Sequence, residues 1–261
     1  EIQRTEQFLR HTRALDEVRN QEDIAGSFGW CMADYNTHKD FGSGDRICHH
    51  GVMDMYRNPK LAAYAYKTFG EEAVLEVASS MNIGEYPGGN LSELYVASNA
   101  DKLRLYKNDE LIREFDEKDR PFKHLENSPF FIDDFIGERL EINEGFSGAK
   151  AKDVKKVLIG AQKYGMDHLP LDVKLAAGKC LTLHKMTFDD AVNLYGKYIG
   201  GWGDDTTVWK FEAIKHNEVV KTCIKSASFE VKYEVQVSST VLTEGNTYDV
   251  ASIRLRALDE H

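Results

Sequence analysis

Four short runs in which apolar and polar residues alternate, at 74–79, 93–98, 102–106 and 110–115, constrain the fold of this chain more than any other feature. Successive side chains of a strand point to opposite faces, so alternation over five or six residues describes a sheet with one buried face. Gly88-Gly89, Asn99-Ala100-Asp101 and Asn108-Asp109 separate the runs, and these residue types favour tight turns between antiparallel neighbours. Alternation returns at 207–214, His216-Asn217 turns the chain into 219–225, and two more strands are expected at 229–237 and 248–257. Short strands punctuated by turns predict an antiparallel, immunoglobulin-like β-sandwich.

The sandwich pattern is interrupted at about 146–203, where the period changes from two to 3.6. Helices are expected at 149–164, 170–185 and 188–199. Val154, Val157, Leu158 and Ala161 form an apolar stripe on the first, Pro170 opens the second, and Thr187 with Asp190 makes a capping box for the third. Tyr195, Tyr198 and Trp202 resemble a carbohydrate-binding aromatic strip, but their helical spacing favours the core of this insertion.

Residues 2–20 read as an amphipathic helix whose buried stripe carries Phe8, Thr12, Leu15 and Val18. The nearly uncharged run 24–33 suits a strand buried on both faces, as in a parallel barrel. A helix follows Pro59, where a proline near the first turn loses no needed hydrogen bond. The expected organisation is therefore mixed α and β. Residues 1–70 form a helix, strand, loop and helix like the end of a (β/α)8 barrel, and residues 71–261 form the interrupted sandwich. Alone, helix 2–20 and strand 24–33 would expose apolar surface, so self-association or docking of this segment onto the sandwich is expected.

The 261 residues carry a net charge of -10, which argues against nucleic acid and anionic membrane surfaces as partners. No apolar run approaches the ~18 residues that a spanning helix needs. Cys31, Cys48, Cys180 and Cys223 lack the close pairing of zinc or redox motifs and read as reduced thiols, which fits a reducing compartment such as the cytoplasm. No cofactor is implied.

Chemistry concentrates between Gly29 and Tyr66. Asp34, Asn36 and His38 follow the expected strand at its C-terminal end, where barrel enzymes carry functional groups. Asp45, Cys48, His49 and His50 offer metal-ligand chemistry, but adjacent side chains such as the two histidines diverge, so no metal site is expected.

The residues Gly26, Trp30, Asp34, Tyr35, Gly51, Val52, Asp54, Arg57, Pro59 and Lys60 resemble the last strand, long loop and final helix of the catalytic barrel of glycoside hydrolase family 2. The run Ser98-Asn99-Ala100-Asp101-Lys102-Leu103-Arg104-Leu105-Tyr106-Lys107-Asn108 resembles the immunoglobulin-like domain that follows that barrel. The resemblance covers about residues 1–136 and the strands from 207 on, while the helical insertion falls outside it.

This resemblance implies a C-terminal portion of a retaining glycosidase of the β-galactosidase type. Such a mechanism uses two carboxyl groups about 5 to 5.5 Å apart. In the family both are Glu, on barrel strands four and seven, which the resemblance puts ahead of residue 1. Neither is expected among these residues, and the chain alone is expected to be inactive. Trp30 matches the aromatic beneath the sugar, Asp34, Asn36 and His38 match its surroundings, and His50 stands where some relatives carry an Asn that holds sodium and a sugar hydroxyl. His50 makes sodium dependence doubtful but still offers a donor to a hydroxyl. Arg57 and Lys60 are expected to tie the loop to the final helix. The implied partners are a β-galactoside-type carbohydrate and either a second copy or the remainder of the barrel. The competing reading is a non-catalytic module for carbohydrate binding or oligomerisation.

Overall fold

A computed structural model of the chain describes residues 1–38, 45–81, 93–200, 207–227 and 230–259. Seven strands build two facing antiparallel sheets. The first has the order β3 (Leu75–Val77), β4 (Leu94–Ser98), β7 (Phe130–Ile132), and the second β6 (Glu110–Phe115), β5 (Lys102–Lys107), β8 (Trp209–Lys215), β9 (Glu218–Lys225). Alternation does what the sequence predicts. Leu103 and Leu105 point inward opposite Ala213 and Phe211, while Lys102 and Arg104 on the outer face pair with Glu114. Leu75, Val77, Leu94, Val96, Phe115, Phe130 and Ile132 complete the same core.

Local chemistry sets the turns. Asn108 and Asp109 take φ of 49° and 63°, and His216 and Asn217 take 53° and 65°, the paired positive values of a type I′ hairpin. The Ser98-Asn99 motif has a structural role. Ser98 donates to the Val74 carbonyl at 2.7 Å, and Asn99 accepts from Val74 N–H while donating to the carbonyls of Gly70 and Glu72. One side chain thereby fastens the β4–β5 corner to the segment that enters the sandwich. Arg120, sequestered inside, donates to the Ser98, Ala100 and Ser128 carbonyls and stacks on Phe130.

The insertion lies between β7 and β8. It contains α3 (Arg139–Glu144), α4 (Gly148–Tyr164), α5 (Leu171–Thr182) and α6 (Phe188–Tyr198). The last three match expectation closely, and α6 carries the Thr187–Asp190 capping box, whose two bonds are 2.7 and 3.1 Å. Tyr198 is core, as its spacing implied, and its hydroxyl donates to Glu144 at 2.6 Å. Gly160 lets α4 approach Val173 of α5, since an added Cβ would meet both Val173 methyl groups within 3 Å.

Helix α1 (Ile2–Arg19) packs with α2 (Leu61–Lys67) on the outer face of the first sheet, where Phe8, Leu9 and Ala65 meet Ala97 and Tyr95. Glu1 accepts from Ser80, and Asp16 accepts from the His124 amide, so both ends of α1 are tied to the sandwich.

Two expectations are corrected. Residues 24–33 form no strand: Phe28 is fully exposed and Ile24 and Met32 are exposed, with only Ala33 bridging Met53 in parallel. A strand of this kind is held by neighbours on both edges, whereas here, among the described residues, only the segment 52–53 pairs with its end, at residues 31–34. Also, β10 (Lys232–Val237) and β11 (Ile253–Leu258), expected as further sandwich strands, pair with each other in a separate two-stranded ribbon. The strand β7 and helix α3 had no recognised sequence signal. Gly88-Gly89 and Trp202 lie outside the described residues.

Candidate functional site

The loop after residue 30 is fastened to the start of α2 by paired backbone. Val52 N–H donates to Cys31 O at 3.0 Å, Met53 N–H to Met32 O at 2.9 Å, and Asp34 N–H to Met53 O at 3.0 Å. Gly51 sits where this pairing is tightest. An added Cβ would lie within 3 Å of backbone atoms of Ala33, Asp34 and Met53, which explains a glycine here.

Asp34 organises the knot. Its side chain is only 4% exposed, and Oδ1 accepts from Gly51 N–H at 2.9 Å and from Lys60 Nζ at 2.7 Å. Oδ2 lies 3.4 Å from His49 Nδ1. Lys60 also donates to the His49 carbonyl. Asp54 closes the next turn by accepting from the amides of Tyr56 and Asn58 and from the Asn58 side chain, whose hydrogen bond holds the carboxyl below its ordinary pKa. Arg57 takes φ of 68° within that turn.

The residue after Asp34 belongs to an aromatic corner. The ring of Trp30 is 6.4 Å from that of Tyr35 with an interplanar angle of 90°, and Trp30 is 73% exposed. The short strands β1 (Tyr35–Asn36) and β2 (Ile47–Cys48) form a hairpin that sets Tyr35 opposite Cys48 and Asn36 opposite Ile47. The Tyr35 phenol is raised above its ordinary pKa, chiefly by its hydrogen bond to Cys48, which outweighs an opposing contribution from Trp30. His50 Nδ1 is 3.1 Å from Cys48 Sγ, and the His50 carbonyl accepts from Gln7 of α1.

Of the residues singled out in the sequence, Trp30, Asn36, His38 and His50 are exposed, whereas Asp34 is buried with its carboxylate engaged inside the loop. Lys60 ties the loop to α2, as its motif implied. Tyr35 and Cys48 escaped sequence reasoning as a pair, since only the hairpin register brings them together. Residues 39–44 of the same loop lie outside the described residues.

A second concavity opens on the other flank of residues 29–32, an open cleft of about 510 Å³ lined by Gly29, Cys31, Met32, Val52, Met53, Pro59, Ala63, Tyr66 and Lys67. The hydroxyl of Tyr66, raised in pKa by burial, is 2.8 Å from His11 Nδ1, and burial lowers the His11 imidazole. Most of its lining is apolar, with Tyr66 and Lys67 as the polar side chains. Among the described residues no group of three or more His, Cys, Asp or Glu is arranged to hold a metal ion, and no helix is long and apolar enough to cross a membrane.

No protein-family model matches the chain. It is 41% identical over 137 residues to a β-galactosidase of Thermoanaerobacterium thermosulfurigenes, covering 51% of this chain and 19% of that protein. It is 36% identical over 124 residues to a β-galactosidase of Thermoanaerobacter pseudethanolicus, covering 46% and 17%, and 28% identical over 137 residues to one of Rhizobium meliloti, covering 51% and 18%. The chain thus spans about a fifth of the length of these curated relatives. Among solved structures it is similar to a β-glucuronidase from glycoside hydrolase family 2, with TM-score 0.46 and 14% identity over 97% of this chain and 19% of that one. A Parabacteroides merdae β-glucuronidase gives TM-score 0.41 and 12% identity over 95% and 24%. About half of this chain is shared with β-galactosidases, in agreement with its resemblance to a C-terminal portion of a glycoside hydrolase family 2 enzyme.

Proposed function

We propose that this chain supplies one wall of the sugar pocket of a retaining β-galactosidase, together with the accessory sandwich that carries it. The observation behind this reading is the exposed Trp30 ring, held edge-on to Tyr35, the neighbour in sequence of the Asp34 that pairs with Lys60. An aromatic face suits the C–H face of a galactose. Asn36, His38 and His50, exposed polar groups of the loop that follows Trp30, serve the sugar hydroxyls in this reading. Asp34 serves the wall from behind, by fixing Gly51 and Lys60.

Glycoside cleavage by retention requires a nucleophilic carboxylate and an acid/base carboxyl on opposite sides of the bond. In this reading both come from outside these residues, and the apolar cleft beside Met32 and Met53 receives the part of the barrel that carries them. The chain alone is then inactive. The test is complementation: this chain is mixed with a separately produced N-terminal portion of such an enzyme, and galactoside, glucuronide and mannoside hydrolysis are assayed. Galactoside turnover only on mixing is expected. Turnover by the purified chain alone would sink the reading.

A second role, association between copies, is favoured by the β10–β11 ribbon. Tyr233, Val235, Val237, Ile253 and Leu255 share one face of it and are all exposed. A two-stranded ribbon gains stability when such a face is covered. Sedimentation of the chain against its Val235→Glu variant tests this, with a dimer expected only for the parent sequence.

A further inference from the structure

Cys48 ends β2 beside the aromatic corner, half-buried, with its sulfur 3.1 Å from His50 Nδ1 and with Tyr35 opposite it in the hairpin register. The other thiols differ. Cys180 and Cys223 have thiols that burial pushes above their ordinary pKa, and Cys31 donates locally to the Ala33 carbonyl. Only Cys48, among the described cysteines, has an imidazole at hydrogen-bonding distance.

We propose that Cys48 and His50 form a nucleophilic pair that reacts with low-molecular-weight disulfides, making Cys48 a site of reversible S-thiolation at the rim of the aromatic corner. A thiolate is the attacking species, and a neighbouring imidazole accepts the thiol proton as attack begins. The Cys48 sulfur bonds to one sulfur of the disulfide while the original S–S bond breaks. The departing thiolate takes the proton from His50 and leaves as a thiol, so one disulfide is exchanged for another and no further oxidant enters. The product carries its new substituent against Tyr35, whose ring is 6.4 Å from that of Trp30. A resulting block on sugar binding rests on the sugar-wall reading, whereas the thiol chemistry does not.

The chain is incubated separately with oxidised glutathione and with an aromatic disulfide that releases a coloured thiol, and modified cysteines are located by peptide mass. Cys48 is expected to react about 10-fold faster than Cys180 and Cys223. His50→Gln should slow Cys48 about 10-fold while leaving the other cysteines unchanged, and Cys48→Ser should abolish the fast phase. Equal reactivity of Cys48 and the buried thiols, or a Cys48 rate indifferent to His50→Gln in a variant with unaltered circular dichroism, would overturn the assignment. In the complemented enzyme, glutathione disulfide should inhibit galactoside hydrolysis, dithiothreitol should restore it, and Cys48→Ser should be resistant. Full modification of Cys48 with undiminished hydrolysis overturns the block and the sugar wall at this corner, separately from the exchange measured on the chain alone.

Discussion

The Lys60 ammonium lies 2.7 Å from the Asp34 carboxylate, and through that contact the start of α2 is locked to the end of the loop carrying Trp30. The Gly51 amide shares the same carboxylate oxygen. Asp34→Ala leaves the Gly51 N–H without its acceptor and Lys60 with the His49 carbonyl in place of a carboxylate, and should lower the free energy of unfolding by about 2 kcal/mol. Asp34→Asn keeps an acceptor for Gly51 and should cost less. Urea denaturation of the two variants beside the parent sequence checks the order.

At Gly51 the obstacle is volume rather than charge. An alanine methyl would press on backbone atoms of Ala33, Asp34 and Met53, none of which can rotate away. Gly51→Ala is expected to destabilise the protein by about 3 kcal/mol. Amide exchange should show protection lost first at Val52, Met53 and Asp34, whose N–H groups make the local pairing.

Trp30 should behave in the opposite way. With 73% of its surface exposed it holds little of the core, so Trp30→Ala should change stability by no more than about 0.5 kcal/mol. Galactoside hydrolysis by the complemented enzyme should nevertheless fall at least about 10-fold, because a sugar loses its apolar platform. A stable variant with full activity would refute the role assigned to this ring.

His11 links the rear of the site to pH. Burial lowers its pKa below the ordinary 6.5, so the unfolded chain takes up the proton before the folded one does. The sign follows from that difference: its contribution to stability is fully present above about pH 6.5 and is lost as pH falls through that value toward the lower folded pKa. Denaturation midpoints should therefore decline over this window. His11→Gln, which retains a polar partner for Tyr66, should flatten the decline.

Much of this architecture was legible because short-range chemistry decides it. Asn108-Asp109 and His216-Asn217 adopt left-handed backbone readily, Thr187 and Asp190 cap one another across a single helical turn, and Leu103 and Leu105 alternate with Lys102 and Arg104. Each signal is complete within a few residues. The run 24–33 misled for the same reason, since its uncharged composition says that it tolerates burial but nothing about whether neighbours exist to bury it.

The candidate site divides along the same line. Trp30, Asn36, His38 and His50 could be picked out by residue type and motif, and Lys60 was expected as a tie to the final helix. That Asp34 faces inward, and that Lys60, Gly51 and His49 are its partners, depends on contacts across 15 to 26 positions of chain. The meeting of Tyr35 with Cys48 depends on hairpin register. Sequence alone determined the alternating strands β4 to β6, β8 and β9, the hairpin turns and the α6 cap, because backbone preference and side-chain period are local properties. Tertiary structure alone decided that the Asp34 carboxylate is spent on the scaffold, because Gly51 and Lys60, its partners, must be brought to it from 17 and 26 positions along the chain.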